Sequence, residues 1–135
     1  MTQEEKDLLL KDLCARLPYG VKIYIPGYTG PQILCGIDAD KLLFGTKYTG
    51  VCEHIFGRKD ELHFKPYLRP LSSMTEDEQR MLDSMCNGVE MVSRLSGLKM
   101  FDKAFEWLNK NHFDYRGLIE KGLALEAPKD MYKED

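Results

Sequence analysis

The hydrophobic residues of this sequence repeat with two different periods, and the change of period constrains the fold more than any other feature. Leu9, Leu13 and Leu17 recur at every fourth position, which is the spacing of an amphipathic helix. Beyond Gly20, apolar and polar residues alternate, which is the spacing of a half-buried strand. A chain that begins with a helix and continues with strands is neither all-α nor all-β, so we expect an α+β fold.

Capping boxes predict where two of the helices begin. Thr2 with Glu5 precedes the leucine repeat, and Thr75 with Glu78 precedes a second apolar series. The first helix should cover residues 3–17 and end at Pro18. Its other face should be solvated and carries the charged residues Glu4, Lys11, Asp12 and Arg16.

The β region should span residues 21–71. Alternating residues predict about five short strands between residues 21 and 67, separated by turns at intervals of roughly 8–12 residues. This spacing favours a small antiparallel, barrel-like sheet, possibly SH3-like, because closure of a sheet removes its exposed edges. Pro66 and Pro70 frame an extended connector that follows the last strand.

A helical region should span residues 72–128. We expect one helix over residues 76–95, with a break or bend at Asn87-Gly88 and a stop at Ser96-Gly97, and a last helix over residues 99–110. The last helix carries an apolar stripe formed by Leu98, Phe101, Phe105 and Leu108, with Trp107 beside it.

The segment after this helix is too apolar for a free tail, so residues 112–125 should pack back on the domain. Residues 129–135 should fray. Residues 1–135 are therefore interpreted as a single domain.

Charge and hydropathy exclude several classes of protein. The chain has 135 residues and a net charge of -3, which argues against a surface built entirely for nucleic acid or anionic lipid. No apolar run is long enough to cross a bilayer, and the acidic N-terminal segment is not a signal peptide. The sequence predicts a soluble, cytoplasmic protein with no membrane partner. Its four cysteines are scattered, as expected of small buried hydrophobic residues.

No motif in the sequence identifies a catalytic residue or a cofactor. The nucleophile-elbow, zinc-protease and phosphate-binding loop motifs are all missing. Cys52, His54 and His63 lie on consecutive predicted strands and could form a three-ligand metal site, as in a metal-dependent hydrolase. A C-x-H spacing is not a recognised zinc signature, so ordinary sheet positions are the favoured interpretation.

Positive charge is concentrated in the β region. Residues 41–70 contain six basic and three acidic residues, a net charge of +3, interleaved with aromatic residues. Such a surface can follow a nucleic-acid backbone and stack on bases, although basic residues also protect sheet edges. The candidate nucleic-acid-binding residues are Lys41, Lys47, Arg58, Lys59, Lys65 and Arg69.

A dense polar and aromatic cluster follows the last helix. It contains His112, Asp114, Tyr115 and Arg116. Arg116 could pair with Asp114 or Glu120, or lie beside the Tyr115 ring. A structural clamp on the C-terminal segment is the favoured interpretation, and an interaction surface is the alternative.

Three blocks of the sequence resemble a family of small uncharacterised proteins from Bacteroides-type gut bacteria, often found in prophage and other mobile-element regions. The blocks are LLLKDLCARLPYGV from Leu8, KPYLRPLSSMT from Lys65, and WLNKNHFDYRGLI from Trp107 with its continuation from Gly122 to Pro128. Together they cover about a third of the chain. The resemblance implies a helix, a small β region, a proline connector and a C-terminal helical block, and it implies no activity.

These observations favour a non-enzymatic protein-interaction module of mobile-element or phage origin, acting through a protein partner or through itself. Nucleic-acid binding by the basic β region is the first alternative, and metal-dependent hydrolysis is the second.

Overall fold

The fold is described from a computed structural model that covers residues 2–26, 30–38, 41–45, 52–55, 64–86 and 94–132. Of residues 38, 41–43, 52–55 and 94–96 the backbone alone is described. The helices are α1 (Gln3–Arg16), α2 (Glu76–Cys86) and α3 (Arg94–Lys110), with short 3-10 turns at Leu17–Tyr19 and Leu71–Ser73. The strands are β1 (Lys22–Tyr24), β2 (Gln32–Asp38), β3 (Lys41–Gly45), β4 (Cys52–Ile55), β5 (Lys65–Leu68) and β6 (Leu125–Glu126). The predicted α+β class is confirmed.

Both predicted capping boxes are present. The Thr2 hydroxyl accepts a hydrogen bond from the Glu5 backbone N–H at 3.1 Å, and the Glu5 carboxylate accepts one from the Thr2 N–H at 3.1 Å. Thr75 and Glu78 exchange the same pair of bonds at 3.0 and 3.2 Å. These bonds satisfy backbone donors that the first turn of a helix leaves without partners.

The strands form one open sheet in the order β4-β3-β2-β1-β5-β6. Neighbouring strands are antiparallel from β4 to β5, and the two-residue strand β6 is parallel to β5. In β1 and the two residues that flank it the predicted alternation is confirmed, since Val21, Ile23 and Ile25 are fully buried while Tyr24 is exposed.

The predicted closure into a barrel is wrong. In the described part of the chain, β4 and β6 lie at opposite edges of the sheet and do not pair. The outer edge of β5 is covered by the C-terminal segment, through β6 and through a bridge between Arg69 and Phe113. Covering an edge protects it from pairing with other chains as closure would, so the regular strand spacing did not require a barrel.

The predicted proline connector is itself part of the sheet. Pro66 lies inside β5 and is opposite Ile23 of β1. Proline lacks an N–H donor, but its extended φ suits a strand. The fifth strand, predicted around residues 62–64, lies mostly outside the described residues. Of these residues Phe64 alone is described, and it is buried.

The core lies between α1 and one face of the sheet. Leu9 and Leu13 of α1 are buried there, which confirms the predicted helical stripe. The C-terminal segment contributes Phe113, Leu118 and Leu123 to the buried set, which confirms that residues 112–125 pack back on the fold. None of the described helices is long and apolar enough to cross a membrane.

The predicted boundaries of the later helices were only partly correct. α2 ends at Cys86, and Asn87-Gly88 lies outside the described residues. The predicted stop at Ser96-Gly97 is wrong, because both residues lie in the first turn of α3. Gly97 is buried, and a residue with no side chain allows a helix to approach its neighbour closely.

The face of α3 that packs inward also differs from the prediction. Three residues of the predicted apolar stripe are exposed, by 67% for Leu98, 43% for Phe101 and 48% for Phe105. Ala104 and Leu108 are buried in line with Gly97, and Asn109 is buried as well. Small residues allow close packing, so Gly97 and Ala104 lie inward while Leu98, Phe101 and Phe105 stay exposed.

Cysteine burial was also predicted wrongly. Cys14, Cys35 and Cys86 are exposed free thiols, and the side chain of Cys52 is outside the described set. On β2, Cys35 follows the buried Leu34, and successive side chains of a strand point to opposite faces.

Candidate functional site

The predicted interaction cluster lies largely in the interior. His112 and Asp114 are buried, and Tyr115 and Arg116 are half-buried. The Asp114 carboxylate accepts hydrogen bonds from the backbone N–H groups of Leu118 and Ile119 at 2.9 and 3.0 Å. These bonds fix the turn that follows the cluster, as a structural clamp would. A role for the cluster in binding a partner stays a prediction.

A buried charge network ties this cluster to α1. Asp12 and Arg16 were predicted to be solvated, but both are fully buried. The Asp12 carboxylate accepts hydrogen bonds from Arg16 Nε at 2.8 Å and from Arg116 Nη1 at 2.7 Å. Both guanidinium groups also lie near the Tyr115 ring. Removing one partner of such a network leaves a buried charge uncompensated, which is strongly destabilising.

The partner of Arg116 was predicted in part. Its guanidinium lies 4.5 Å from the centroid of the Tyr115 ring, as one predicted option required. The carboxylate that it contacts belongs to Asp12 rather than to Asp114 or Glu120. The i, i+4 spacing of Asp12 and Arg16 was the sequence signal that could have revealed a paired face.

His112 adopts an unusual backbone conformation in this region. Its φ is 63°, and its ring stacks on Tyr132 with 3.7 Å between the ring centroids. Burial, together with the charges of Arg16, Arg69 and Lys22, lowers the pKa of His112 from 6.5 to about 3. The imidazole is therefore neutral at physiological pH.

Tyr132 completes the sheet at a place where β1 and β5 separate. The register of these strands places Lys22 opposite Tyr67, one step beyond the last pair, Ile23 with Pro66. The Tyr132 hydroxyl accepts a hydrogen bond from the Lys22 N–H at 2.8 Å and donates one to the Tyr67 carbonyl at 2.6 Å. It thus bridges two backbone groups that would otherwise lack partners.

Met131 and Tyr132 do not fray as predicted, and residues 133–135 of the predicted frayed tail lie outside the described residues. The Lys22 ammonium donates a hydrogen bond to the Met131 carbonyl at 2.7 Å and lies over the Tyr132 ring. Burial raises the pKa of the Tyr132 hydroxyl above its ordinary value, so the proton that it donates is retained. A tyrosine in an otherwise charged tail was the sequence signal for this contact.

A cavity of about 870 Å³ opens between the two 3-10 turns, the start of α2, the end of α3 and the C-terminal segment. His112 and Tyr132 form part of its wall. The charged lining residues are balanced, with three basic and three acidic groups, so the cavity does not select a ligand by charge. They are Arg69, Lys110, Lys129, Glu78, Glu126 and Asp130.

The candidate nucleic-acid-binding residues are only partly described. Lys47, Arg58 and Lys59 lie outside the described residues, and Lys41 is described by its backbone alone. Lys65 is half-buried on β5. Nucleic-acid binding by this set stays a prediction.

Arg69, the last member of that set, is engaged within the fold. Its guanidinium donates two hydrogen bonds to the Glu78 carboxylate, at 2.7 and 2.8 Å, and lies over the Phe113 ring. These hydrogen bonds lower the pKa of Glu78 below its ordinary value. A guanidinium held in this way is less available for a phosphate than a free one.

The candidate metal ligands are not brought together by anything that the structure describes. Cys52 and His54 lie on β4, opposite Phe44 and Leu42 of β3, and His63 is outside the described residues. Among the described residues, no group of three metal-ligating side chains is close enough to hold an ion. The metal site stays a prediction.

The most distinctive surface feature is the row of large apolar side chains on α3, which we call the α3 ridge: Leu98, Phe101 and Phe105. Their i, i+3, i+7 spacing places them on one face of the helix. Phe105 also contacts the Tyr115 ring, with 5.3 Å between the ring centroids. The adjoining face of α3 is buried at Ala104 and Leu108, so the ridge is presented on a packed helix.

No protein-family model, no curated protein and no solved structure matches this chain. The function is therefore inferred from the residues of the chain itself. The resemblance to Bacteroides-type mobile-element proteins stays a prediction.

Proposed function

We propose that this chain is a non-enzymatic protein-interaction module, of the mobile-element or phage origin that the sequence resemblance implies, and that it binds a protein through the α3 ridge. The observation that supports the proposal is the exposure of Leu98, Phe101 and Phe105 on one face of a packed helix. Contiguous exposed apolar surface of this kind is typical of interaction sites.

The chemistry of the ridge suits a helix that docks into an apolar groove. Anchors at i, i+3 and i+7 are the residues that such a helix inserts into its partner. Covering them removes apolar area from water, which contributes about 25 cal/mol per Å² before the costs of association. Flanking charged residues on α3, such as Asp102 and Lys103, keep the surroundings polar, as in the rim of an interface.

The experiment compares the wild-type chain with two variants as bait in lysate of the native host, treated with nuclease. Leu98→Glu places a charge on the ridge. Leu71→Glu places the same charge on a leucine that is 48% exposed on a 3-10 turn outside α2 and α3. We expect the wild type and Leu71→Glu to capture a protein that Leu98→Glu does not capture. After purification, that protein should bind the wild type and Leu71→Glu but not Leu98→Glu.

Two results would contradict the proposal. One is equal binding of the purified partner by both variants, which would place the interface elsewhere. The other is turnover of a nucleotide, ester or peptide substrate by the purified chain that is abolished by a point substitution away from α3. Circular dichroism of each variant checks that the fold is retained.

A further inference from the structure

We propose that residues 125–132, which we call the strap, close over His112 at neutral pH and open at acid pH while the rest of the fold persists. The proposal is independent of the α3 ridge and concerns the cavity that His112 and Tyr132 line. All of residues 126–132 belong to the wall of that cavity, so the cavity is complete only while the strap is closed.

The backbone of His112 is fixed by the body of the fold. Its N–H donates a hydrogen bond to the Asn109 carbonyl at 3.1 Å, and its carbonyl accepts one from the Arg69 N–H at 2.7 Å. From the strap, Tyr132 covers the imidazole, with 3.7 Å between the ring centroids. A change in His112 that is incompatible with burial is therefore relieved more readily by movement of Tyr132 than by movement of His112.

Protonation of the His112 ring is such a change. In the imidazolium form both ring nitrogens carry a proton that needs an acceptor. His112 Nδ1 is buried and has no hydrogen-bond partner in the described part of the chain. A buried donor without an acceptor is costly, and more so when the group is charged. Opening of the strap lets water reach the ring and supply the acceptor.

The cations around His112 act in the same direction. Arg16 of α1, Lys22 of β1 and Arg69, which follows β5, each disfavour a further positive charge on the ring. These cations come from three elements packed around the ring. The closed strap therefore holds the neutral imidazole among like charges that would repel its protonated form.

The carboxylates near these cations are already engaged. Asp12 is paired with Arg16, and Glu78 is paired with Arg69. Asp114 accepts two backbone hydrogen bonds from the turn that follows it. The other titratable groups that line the cavity are Tyr19 of the first 3-10 turn, Lys110 of α3, and Glu126, Lys129 and Asp130 of the strap. The charged members of this last set are exposed, so water and salt screen their effect on the ring.

The strap lies outside the buried core. Ala124 is buried, whereas residues 125–132 are half-buried or exposed. The Ala127 N–H donates a hydrogen bond to the Leu68 carbonyl at 2.7 Å, and the Tyr132 hydroxyl bridges β1 and β5. Opening of the strap breaks these bonds and exposes little apolar surface, so it does not require unfolding of the core.

Proton linkage gives the direction and size of the effect. The pKa of His112 is about 3 with the strap closed and 6.5, its ordinary value, with the ring in water. Between these values the open form binds a proton that the closed form does not, so the ratio of open to closed strap rises as the pH falls. From pH 7 to pH 5 this ratio should rise roughly 25-fold.

Hydrogen exchange of single amides in the full-length chain, followed by NMR, measures the opening. The Ala127 N–H reports on the strap, and the Leu34 N–H, bonded to the Val21 carbonyl at 3.0 Å, reports on the core. We expect the protection factor of Ala127 to fall roughly 25-fold from pH 7 to pH 5 and to be insensitive to low concentrations of urea. Leu34 should stay better protected at both pH values, and urea should lower its protection.

Variants of the stacked pair assign the effect to His112. His112→Asn removes the imidazole and keeps a residue that tolerates the positive φ, so the protection of Ala127 should be nearly the same at pH 7 and pH 5. His112→Gly, which also suits that φ, should behave in the same way. Tyr132→Phe is the control: it should lower the protection of Ala127 at both pH values and retain the roughly 25-fold fall, because the imidazole is still present.

Two kinds of result would overturn the proposal. Equal protection of Ala127 and Leu34 at both pH values would show that the strap opens only when the whole fold unfolds. A protection factor of Ala127 that is the same at pH 7 and pH 5, or that falls equally in the wild type and in the His112 variants, would show that His112 does not control the opening.

Discussion

Tyr132 and His112 form a stacked pair that joins the C-terminal segment to the sheet. The tyrosine hydroxyl links the backbone groups of Lys22 and Tyr67, and the imidazole supports the tyrosine ring from one side. Both side chains are held in a form that carries no charge at neutral pH, because burial disfavours the phenolate and the imidazolium alike. Two consequences can be measured at the scale of single residues.

The substitution Tyr132→Phe should lower the free energy of unfolding by about 1–3 kcal/mol, because the Lys22 N–H and the Tyr67 carbonyl then lose their hydroxyl partner. Urea unfolding monitored by circular dichroism measures the change. Tyr24→Phe is the matched control, since Tyr24 is exposed on the neighbouring part of β1. Equal stabilities of the two variants would show that the bridge contributes nothing.

Stability should depend on pH through His112. The pKa of this group is about 3 in the folded chain and 6.5 without the fold. Between these values the unfolded chain binds a proton that the folded chain does not, so stability is complete above about pH 6.5 and falls as the pH is lowered toward 3. The loss should approach about 1.4 kcal/mol per pH unit within this window.

Unfolding free energies at pH 7 and pH 5 measure this effect while most carboxylates stay ionised. The wild-type chain should lose roughly 1–2 kcal/mol over that interval. His112→Asn removes the titrating ring and keeps a residue that tolerates the positive φ. The unfolding free energy of this variant should therefore change much less between pH 7 and pH 5 than that of the wild type. The same pH dependence in both chains would assign the effect to other groups.

At the scale of elements, α3 shows how packing selects one face of a helix. Gly97, Ala104 and Leu108 lie on its inward face, whereas Leu98, Phe101 and Phe105 stay exposed. The periodicity of the sequence correctly indicates a helix through Phe105 and Leu108. It does not show which apolar face finds a partner within the same chain, because that depends on the shape of the neighbouring elements.

The two faces of α3 should respond differently to substitution. Leu108→Ala removes a buried side chain and should cost about 2–5 kcal/mol. Leu98→Ala shortens a leucine that is mostly exposed and should change stability by no more than about 0.5 kcal/mol under conditions where the chain is monomeric. Thermal or urea unfolding of both variants measures the two changes in stability. Equal losses of stability would contradict the assignment of Leu108 to a buried face and of Leu98 to an exposed one.

At the scale of the whole molecule, the described buried residues are distributed unevenly among the elements. α1, β1 and the segment from Phe113 to Ala124 supply most of the described core, whereas α2 has no buried residue. Hydrogen bonds from Arg16 to the Phe113 carbonyl and from Arg116 to the Asp12 carboxylate join the C-terminal segment to α1. The paired residues are 97 and 104 positions apart in the sequence. Among the described helices, α2 should therefore be the least stable.

Hydrogen exchange followed by mass spectrometry should resolve this gradient. Amides of α2 should exchange well before those of α1 and β1, because local opening of α2 exposes little additional apolar surface. Uniform protection of α1 and α2 would contradict the gradient.

Local features of the sequence were sufficient for much of the architecture. The capping boxes at Thr2 and Thr75 and the alternation around Ile23 each depend on residues close together in the chain. Such features fix backbone hydrogen bonds and helix starts directly, so the α+β class and the first helix could be predicted. The clamp formed by His112 to Arg116 was also indicated, since its polar and aromatic residues are adjacent in sequence.

Contacts between distant segments were decided only by the tertiary structure. Asp12 meets Arg116, and Tyr132 meets Lys22 and Tyr67, across more than sixty positions of sequence. No local pattern specifies such partners, so Asp12 and Arg16 were mistaken for part of a solvated face. Met131 and Tyr132 were mistaken for part of a frayed tail. The sheet stays open and the α3 ridge stays exposed for the same physical reason: the sequence sets which surfaces are apolar, and only the packed shape decides which of them are covered.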